Sequence, residues 1–340
     1  MKAMVYYGPN DIQITEVDKP SINSKEVLVK IKSTGICGSD IHGYLGTTGR
    51  RIPPLIMGHE FTGIVQEIGN NVEGFSQGDR VAVFPVVFCG ECKNCKRGMI
   101  HICANRKIFG VLKFNGSFTE YIAVPAENLF KLPDNLSFEQ GALSEPIAVA
   151  VRAVNQAGPL EGKNVLIVGA GMIGLSILSV VNTKNPANIF ISDLNESKLE
   201  IAKEMGAEYT INPSLKDSKM VIDDKVGERG IDVSIEAVGL TDTVQYSLSN
   251  LSQQGKCIFV GVFKKMVEIN MHEIVGNELT IIGSTVYTMK DFGDAIDYLA
   301  SREIKTDLFI SKILPLEKGP EVFSELSEDL GTNIKVILNS

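Results

Sequence analysis

Apolar and polar residues alternate through several short stretches near the start of the chain. Val27, Val29 and Ile31 fall on one side with Lys30 and Lys32 on the other, and 63–69 and 80–84 repeat the habit. The first segment is therefore predicted to be β-rich, with a short helix over 39–45 just after Cys37. From about residue 147 the rhythm changes. Strands are predicted over 164–168, 188–192, 231–235, 256–260 and 279–282, and helices over 172–181, 196–205 and 241–251, the second striped by Leu199, Ala202 and Met205. Strand and helix in alternation predict a parallel sheet with helices on both faces. A last segment carries Phe292, Ala295, Ile296 and Leu299 on one helical face, followed by short strands and another helix. It is too short for a core of its own and is expected to fold back onto the first domain.

Composition sharpens that division. A chain of 340 residues with 22% charged residues and no low-complexity tract is expected to fold as two globular domains. The expected bounds are 1–146 with 284–340 for the first domain, including a lobe over 86–104, and 147–283 for the second. A net charge of -8, from 33 basic and 41 acidic residues without a basic stripe, argues against nucleic acid as a partner. The N-terminus lacks a signal-like apolar run and no stretch is apolar enough to span a bilayer, so a soluble cytoplasmic protein is expected. Five of the six cysteines lie between Cys37 and Cys103, a distribution that suits metal-bound thiolates better than a disulfide framework.

Three motifs carry chemistry. Gly169-Ala170-Gly171-Met172-Ile173-Gly174 follows a hydrophobic strand and opens a helix, the setting in which glycines let the backbone approach a pyrophosphate at a helix N-terminus. Asp193 ends the next strand, where a carboxylate receives ribose hydroxyls and repels a 2'-phosphate, which favours NAD over NADP. The plainer alternative is that the glycines serve helix–strand packing and Asp193 caps the following helix. Cys89, Cys92, Cys95 and Cys103 suit a closed, structural zinc site. An iron–sulfur cluster is disfavoured because the fourth cysteine comes late and Ala104, not proline, follows it. His101, inside this lobe, is expected at the surface, and Cys257 in the core. Finally, Cys37, His59 and Glu60 offer a thiolate, an imidazole and a carboxylate, a set that suits a catalytic zinc with one position open.

Cys37 to His42, Gly58-His59-Glu60, the four-cysteine lobe, Gly169 to Gly174 and Asp193 together resemble the zinc-dependent medium-chain dehydrogenase/reductases over essentially the full length. The resemblance implies a GroES-like β-barrel catalytic domain, a Rossmann doubly wound parallel sheet, zinc at two sites, NAD, a small-molecule alcohol substrate, and a homodimer or homotetramer. By the same resemblance Cys37 and His59 bind the catalytic zinc, Ser39 passes the alcohol proton through the cofactor ribose to His42, and Asp40 supports His59 by accepting its ring hydrogen bond. A plainer role for Asp40 is helix capping. Contacts to the dinucleotide are implied for Gly169, Gly171, Met172, Ile173, Gly174, Asp193, Lys198, Val238, Gly261 and Val262. Where some members bring a second cysteine to the zinc, this chain has Ser144-Glu145-Pro146. That resembles the polyol branch, with Glu60 or Glu145 as third protein ligand, and points to substrates with a second oxygen. A threonine-type, sugar-acid or sugar-phosphate dehydrogenase is the alternative, and a crystallin-like dinucleotide-binding protein the non-enzyme one. Arg50 and Arg51 are read as residues of a surface loop, or else as ligands of an anionic substrate.

Overall fold

The strand Glu26–Ile36 buries Val27, Val29 and Ile31, as its alternation predicts, and Leu28 as well. It is buried on both faces because it has neighbours on every side: it pairs antiparallel with Glu60–Ile68, Tyr121–Pro125 and Lys335–Asn339. In the computed structural model, which describes residues 1–215, 217–328 and 333–340, this strand belongs to a seven-stranded sheet beside a separate three-stranded one. The chain divides into two compact units. One comprises Met1–Glu145, Thr288–Arg302 and Phe309–Ser340, and the other Pro146–Tyr287 and Glu303–Leu308.

Most of the C-terminal segment lies in the first unit, with Glu303–Leu308 in the second. Helix Met289–Ala300 buries Phe292, Ala295, Ile296 and Leu299, with Phe292 edge-on to Phe84 and Phe130. The strands Ile310–Pro315 and Lys335–Asn339 pair in parallel, and the latter lies against Glu26–Ile36 with Val336 opposite Ile36. On the other flank of that strand Gly35 stands opposite Glu60. This register brings Lys335 over Gly35 to Glu60: its ammonium donates to both carboxylate oxygens, at 2.8 and 2.6 Å, and to the Ile36 carbonyl at 3.0 Å. Gly35 has no room for a side chain, since a Cβ there would run into the Glu60 carboxylate.

The second unit carries a six-stranded parallel sheet. In chain order its strands are Asn164–Val168, Asn188–Ser192, Tyr209–Ile211, Ile231–Glu236, Leu251–Phe259 and Thr280–Gly283. In space they run 3-2-1-4-5-6, the doubly wound order whose topological switch lies between the first and fourth strands. The helix predicted over 241–251 stops at Ser249, and Leu251 instead opens a strand that starts five residues earlier than its apolar core suggests. Three further elements lie outside the predicted ones. Helix Ser144–Ala157 places Pro146 in its first turn, where no amide partner is needed. Strand Tyr209–Ile211 is only three residues long, and helix Ser218–Val226 buries only Ser218 and Ile222.

Lys335 and Glu60 are 2% and 1% exposed in their side chains, so removing one partner strands the other's charge in the core. In metal-free protein Lys335→Met is expected to cost about 3–5 kcal/mol, read as a lower urea midpoint, and adding Glu60→Gln is expected to restore most of it. Equal midpoints for the wild type and the single variant would contradict this.

Candidate active site and metal centres

Cys37 follows the strand Glu26–Ile36 directly and caps the helix Gly38–Tyr44. Its sulfur accepts from the Ser39 amide at 3.5 Å, and Asp40 accepts from the Cys37 amide at 3.2 Å. The cap is therefore Cys37, with Asp40 as its reciprocal partner, rather than Asp40 beside Ser39. His59 precedes the strand Glu60–Ile68, the direct neighbour of Glu26–Ile36. Ligand atoms of Cys37, His59 and Glu60 all lie within 4.8 Å of one another. Cys37 thus meets His59 and Glu60, 22 and 23 residues further on, because one strand ends at the level where its neighbour begins.

Negative groups dominate this spot. Burial works against the His59 imidazolium, but Asp40, the Cys37 thiol and Glu145 outweigh it and push the imidazole up to about 10. Lys335 is likewise held above its usual range: burial opposes its charge, and Glu60, Cys37 and Glu145 more than compensate. The donors Cys37, His59 and Glu60, a thiol, an imidazole and a carboxylate within 4.8 Å of one another, are a set that fits zinc. Glu145, at the start of helix Ser144–Ala157, acts on His59 and Lys335 through its charge but does not belong to the cluster of three.

Two expectations change here. The Asp40 oxygen stands 3.6 Å from His59 Nδ1, too far for a hydrogen bond, because it is taken by Arg51. And Arg51 is not on a surface loop. Its side chain is 4% exposed and donates to Asp40 at 2.8 Å and to the Ser39 hydroxyl at 3.2 Å. Ser39 is half-buried and His42 exposed, three residues apart on one short helix and so on neighbouring positions of its surface. Lys335 and Arg51 are the residues that pattern reading missed. For Lys335 the signal was present: a lysine opening the otherwise apolar run Val336-Ile337-Leu338 needs a buried partner.

In the lobe, sulfur separations are 3.5 Å for Cys92–Cys95 and Cys89–Cys103, 3.8 Å for Cys92–Cys103 and 4.0 Å for Cys89–Cys95. Four sulfurs at zinc bonding distance on tetrahedral corners stand about 3.8 Å apart, whereas a disulfide needs about 2.0 Å. The residues fit a closed zinc site. Amide hydrogen bonds around Cys92 lower its thiol to about 6, while burial and the neighbouring thiols raise Cys95 to about 12. His101, expected at the surface, is 5% exposed; its short turn Ile100–Ile102 runs directly into the fully buried Cys103. Cys257 is buried in its strand, which pushes its thiol up to about 12, as suits a core residue.

The glycine turn divides its labour. Gly169 takes φ +101°, and a Cβ there would meet Val238; a Cβ at Gly174 would run into the Gly169 carbonyl. Those two are required by the chain itself. At Gly171, by contrast, no described atom lies within 4 Å of where a Cβ would stand. It also caps the helix Met172–Asn182 without a side chain, leaving the amides of the first turn, including Ile173, for a ligand. Asp193 does not cap the following helix, a role taken by Asn195, which accepts from Ser197 and from Lys198. Instead Asp193 accepts from the Ala170 amide at 2.7 Å and the Asn195 amide at 2.9 Å. The fourth and fifth strands end in turns pinned by Glu236, whose side chain accepts from Val238 and Gly239 and whose carbonyl accepts from Gly261. Val238 and Val262 stand 40% and 75% exposed on these turns.

Comparison with known proteins agrees with this geometry. Residues 23–134 match the family model of the alcohol dehydrogenase GroES-like domain, and 172–301 that of the zinc-binding dehydrogenases. The chain is 32% identical over 342 residues to sorbitol dehydrogenase of Bacillus subtilis, covering 99% of this chain and 97% of that protein. It is 39% identical over 289 residues to L-threonine 3-dehydrogenase of Pyrococcus furiosus, covering 84% and 82%. The solved structure of galactitol-1-phosphate dehydrogenase from Escherichia coli superposes with a TM-score of 0.94 at 29% identity, over 100% of both chains. No helix among the described residues is long and apolar enough to cross a membrane.

Cys103→Ser is expected to remove one zinc per chain and to open the lobe, since metal binding supplies much of the folding energy of so small a segment. Zinc content by atomic absorption and protease nicking confined to about 86–106 check this; full zinc content in the folded variant would contradict it.

Proposed function

The chain belongs to the zinc-dependent medium-chain dehydrogenase/reductases, and from that premise we propose that it oxidises a secondary alcohol of a polyol, vicinal diol or sugar alcohol to the ketone, with NAD as hydride acceptor. The observation that carries this reading is a donor set with one thiol and carboxylates in place of a second thiol: Cys37, His59 and Glu60 within 4.8 Å, and Glu145 close enough to act on His59. When bound, zinc would polarise the alcohol and NAD would take its hydride. Cys37, His59 and Glu60 would hold the metal, with the charge of Glu145 acting on the same site.

The proton leaves by the chain's own groups. Ser39 lies two residues from the metal-binding thiol, and its hydroxyl, able both to accept and to donate, receives the alcohol proton. His42, exposed on the same helix, hands it to water. Gly171 and the first-turn amides of Met172–Asn182 take the pyrophosphate. Asp193, already fixed by two amides, meets the ribose hydroxyls and disfavours a 2'-phosphate, while Lys198, Val238, Gly261 and Val262 line the rest of the dinucleotide site.

One observation favours a second reading, a phosphorylated or acidic substrate. Arg50 is exposed, and burial of part of its side chain together with the charges of Arg51 and Arg106 pushes it below its usual range. Among the described residues no carboxylate pairs with it, so an anion would relieve this repulsion.

Zinc-loaded protein with a panel of secondary alcohols is the first test. NADH absorbance is expected to rise with sorbitol or butanediol, and a flat trace with every member would overturn the proposal. NAD is expected to exceed NADP by about tenfold or more in kcat/KM, roughly 1.4 kcal/mol, a preference that Asp193→Asn narrows. Glu60→Gln is expected to lower catalytic zinc occupancy more than Glu145→Gln does. If the anionic reading holds, Arg50→Ala raises KM about tenfold for polyol phosphates and leaves neutral polyols unchanged; equal KM shifts for both would remove it.

A further inference from the structure

We propose that Arg51 is a positioning residue, which links the Ser39 hydroxyl to the metal-binding side of the site through Asp40. This rests on the dehydrogenase reading for the role of Ser39, but the link itself is geometric.

One guanidinium nitrogen, Nη2, donates both to Asp40 Oδ1 at 2.8 Å and to Ser39 Oγ at 3.2 Å. The same Asp40 oxygen faces His59 Nδ1 at 3.6 Å, while the other Asp40 oxygen accepts from the Cys37 amide. Arg51 thus stands at the junction of two groups that hold metal and one that moves the proton. Its approach is prepared by the backbone. Leu112 donates to the Arg50 carbonyl at 2.7 Å and accepts from Ile52 at 3.1 Å, which clamps the segment around Arg51. Gly43 leaves room for the stem, since a Cβ there would run into Arg51 Cγ.

Stability alone does not account for an arginine at this position. Its Nε is buried with no hydrogen-bond partner among the described residues, and a buried guanidinium with an unmet donor is a costly choice beside a well-packed apolar side chain. Its benefit lies in what it does to Ser39. A hydroxyl has one donor and two acceptor positions. With Arg51 filling one acceptor position, Ser39 retains one to receive a proton and one hydrogen to give, so the hydroxyl conducts from one side to the other rather than turning freely. At Asp40, Arg51 competes with His59 for the same oxygen. That competition sets how firmly the imidazole is held, and with it the geometry His59 offers to a metal ion.

The test uses zinc-loaded holoenzyme and its cobalt-exchanged form, with Arg51→Lys, Arg51→Met and, as a variant that keeps the charge but displaces the stem, Gly43→Ala. For Arg51→Met, zinc per chain and KM for NAD are expected to stay within about twofold, while kcat falls about 10²-fold with a larger solvent deuterium isotope effect. The visible cobalt spectrum is expected to shift, and added guanidinium to restore at least about tenfold of kcat. Gly43→Ala is expected to fall between it and the wild type. A folded Arg51→Met or Arg51→Lys enzyme with kcat within about threefold and an unchanged cobalt spectrum would overturn the proposal. Should the wild type oxidise no alcohol, a cobalt spectrum that shifts on substitution sustains the link from Arg51 to the metal side while the dehydrogenase reading fails; an unchanged spectrum removes both.

Discussion

A buried charge has to be balanced where it stands, and that constraint organises the first unit of this protein. Asp40 and Glu60 are 0% and 1% exposed and His59 8%, with the Cys37 thiol and Glu145 beside them. The chain itself answers part of this with Arg51 for Asp40 and Lys335 for Glu60, and a divalent metal ion would answer the rest. Each carboxylate has a cation of its own within hydrogen-bond distance, so the charge of each is balanced inside the fold rather than by solvent.

The same constraint explains why the C-terminus returns to the beginning. The strand Lys335–Asn339 completes the sheet beside Glu26–Ile36, and its first residue carries the cation that Glu60 needs. Cores of apolar side chains accept many sequences of similar volume, but this register accepts few. A slip by one residue would turn Lys335 to the opposite face and leave Glu60 alone in the interior, and Gly35 must stay bare for the pair to form at all. The cluster of Cys37, His59 and Glu60, made from residues near the start of the chain, is thus finished by a residue five places from its end.

How much of this was readable beforehand depends on whether the determinant is local. The strand–glycine–helix turn was legible because its reasons lie within a few residues, and the strands Asn164–Val168 and Asn188–Ser192 have the bounds their apolar runs predict. The cysteine lobe was legible for the same reason. Weakly amphipathic elements such as Ser218–Val226 were not, since their faces are decided by packing rather than by pattern. Least legible were the partners of buried charges. Arg51 was read as part of a surface loop because arginine is rarely buried. Only the fold reveals that Asp40, eleven residues earlier, is waiting for it. His101 was misplaced by the same prior, with a buried cysteine two residues on as the overlooked cue.

The second unit solves a different problem with the same economy of groups. Asp193 accepts from the Ala170 amide inside the glycine turn, so one carboxylate ties the end of the second strand to the turn after the first. Glu236 does likewise for the turns after the fourth and fifth strands, taking the amides of Val238 and Gly239 on its side chain and that of Gly261 on its carbonyl. In both cases a single acid fixes backbone that would otherwise be free to move. Loops so fixed present their amides and exposed valines in one arrangement before any ligand arrives. The ordering entropy is then met during folding rather than at each binding event, which favours affinity for a rigid planar ring and a pyrophosphate over tolerance of differently shaped ligands.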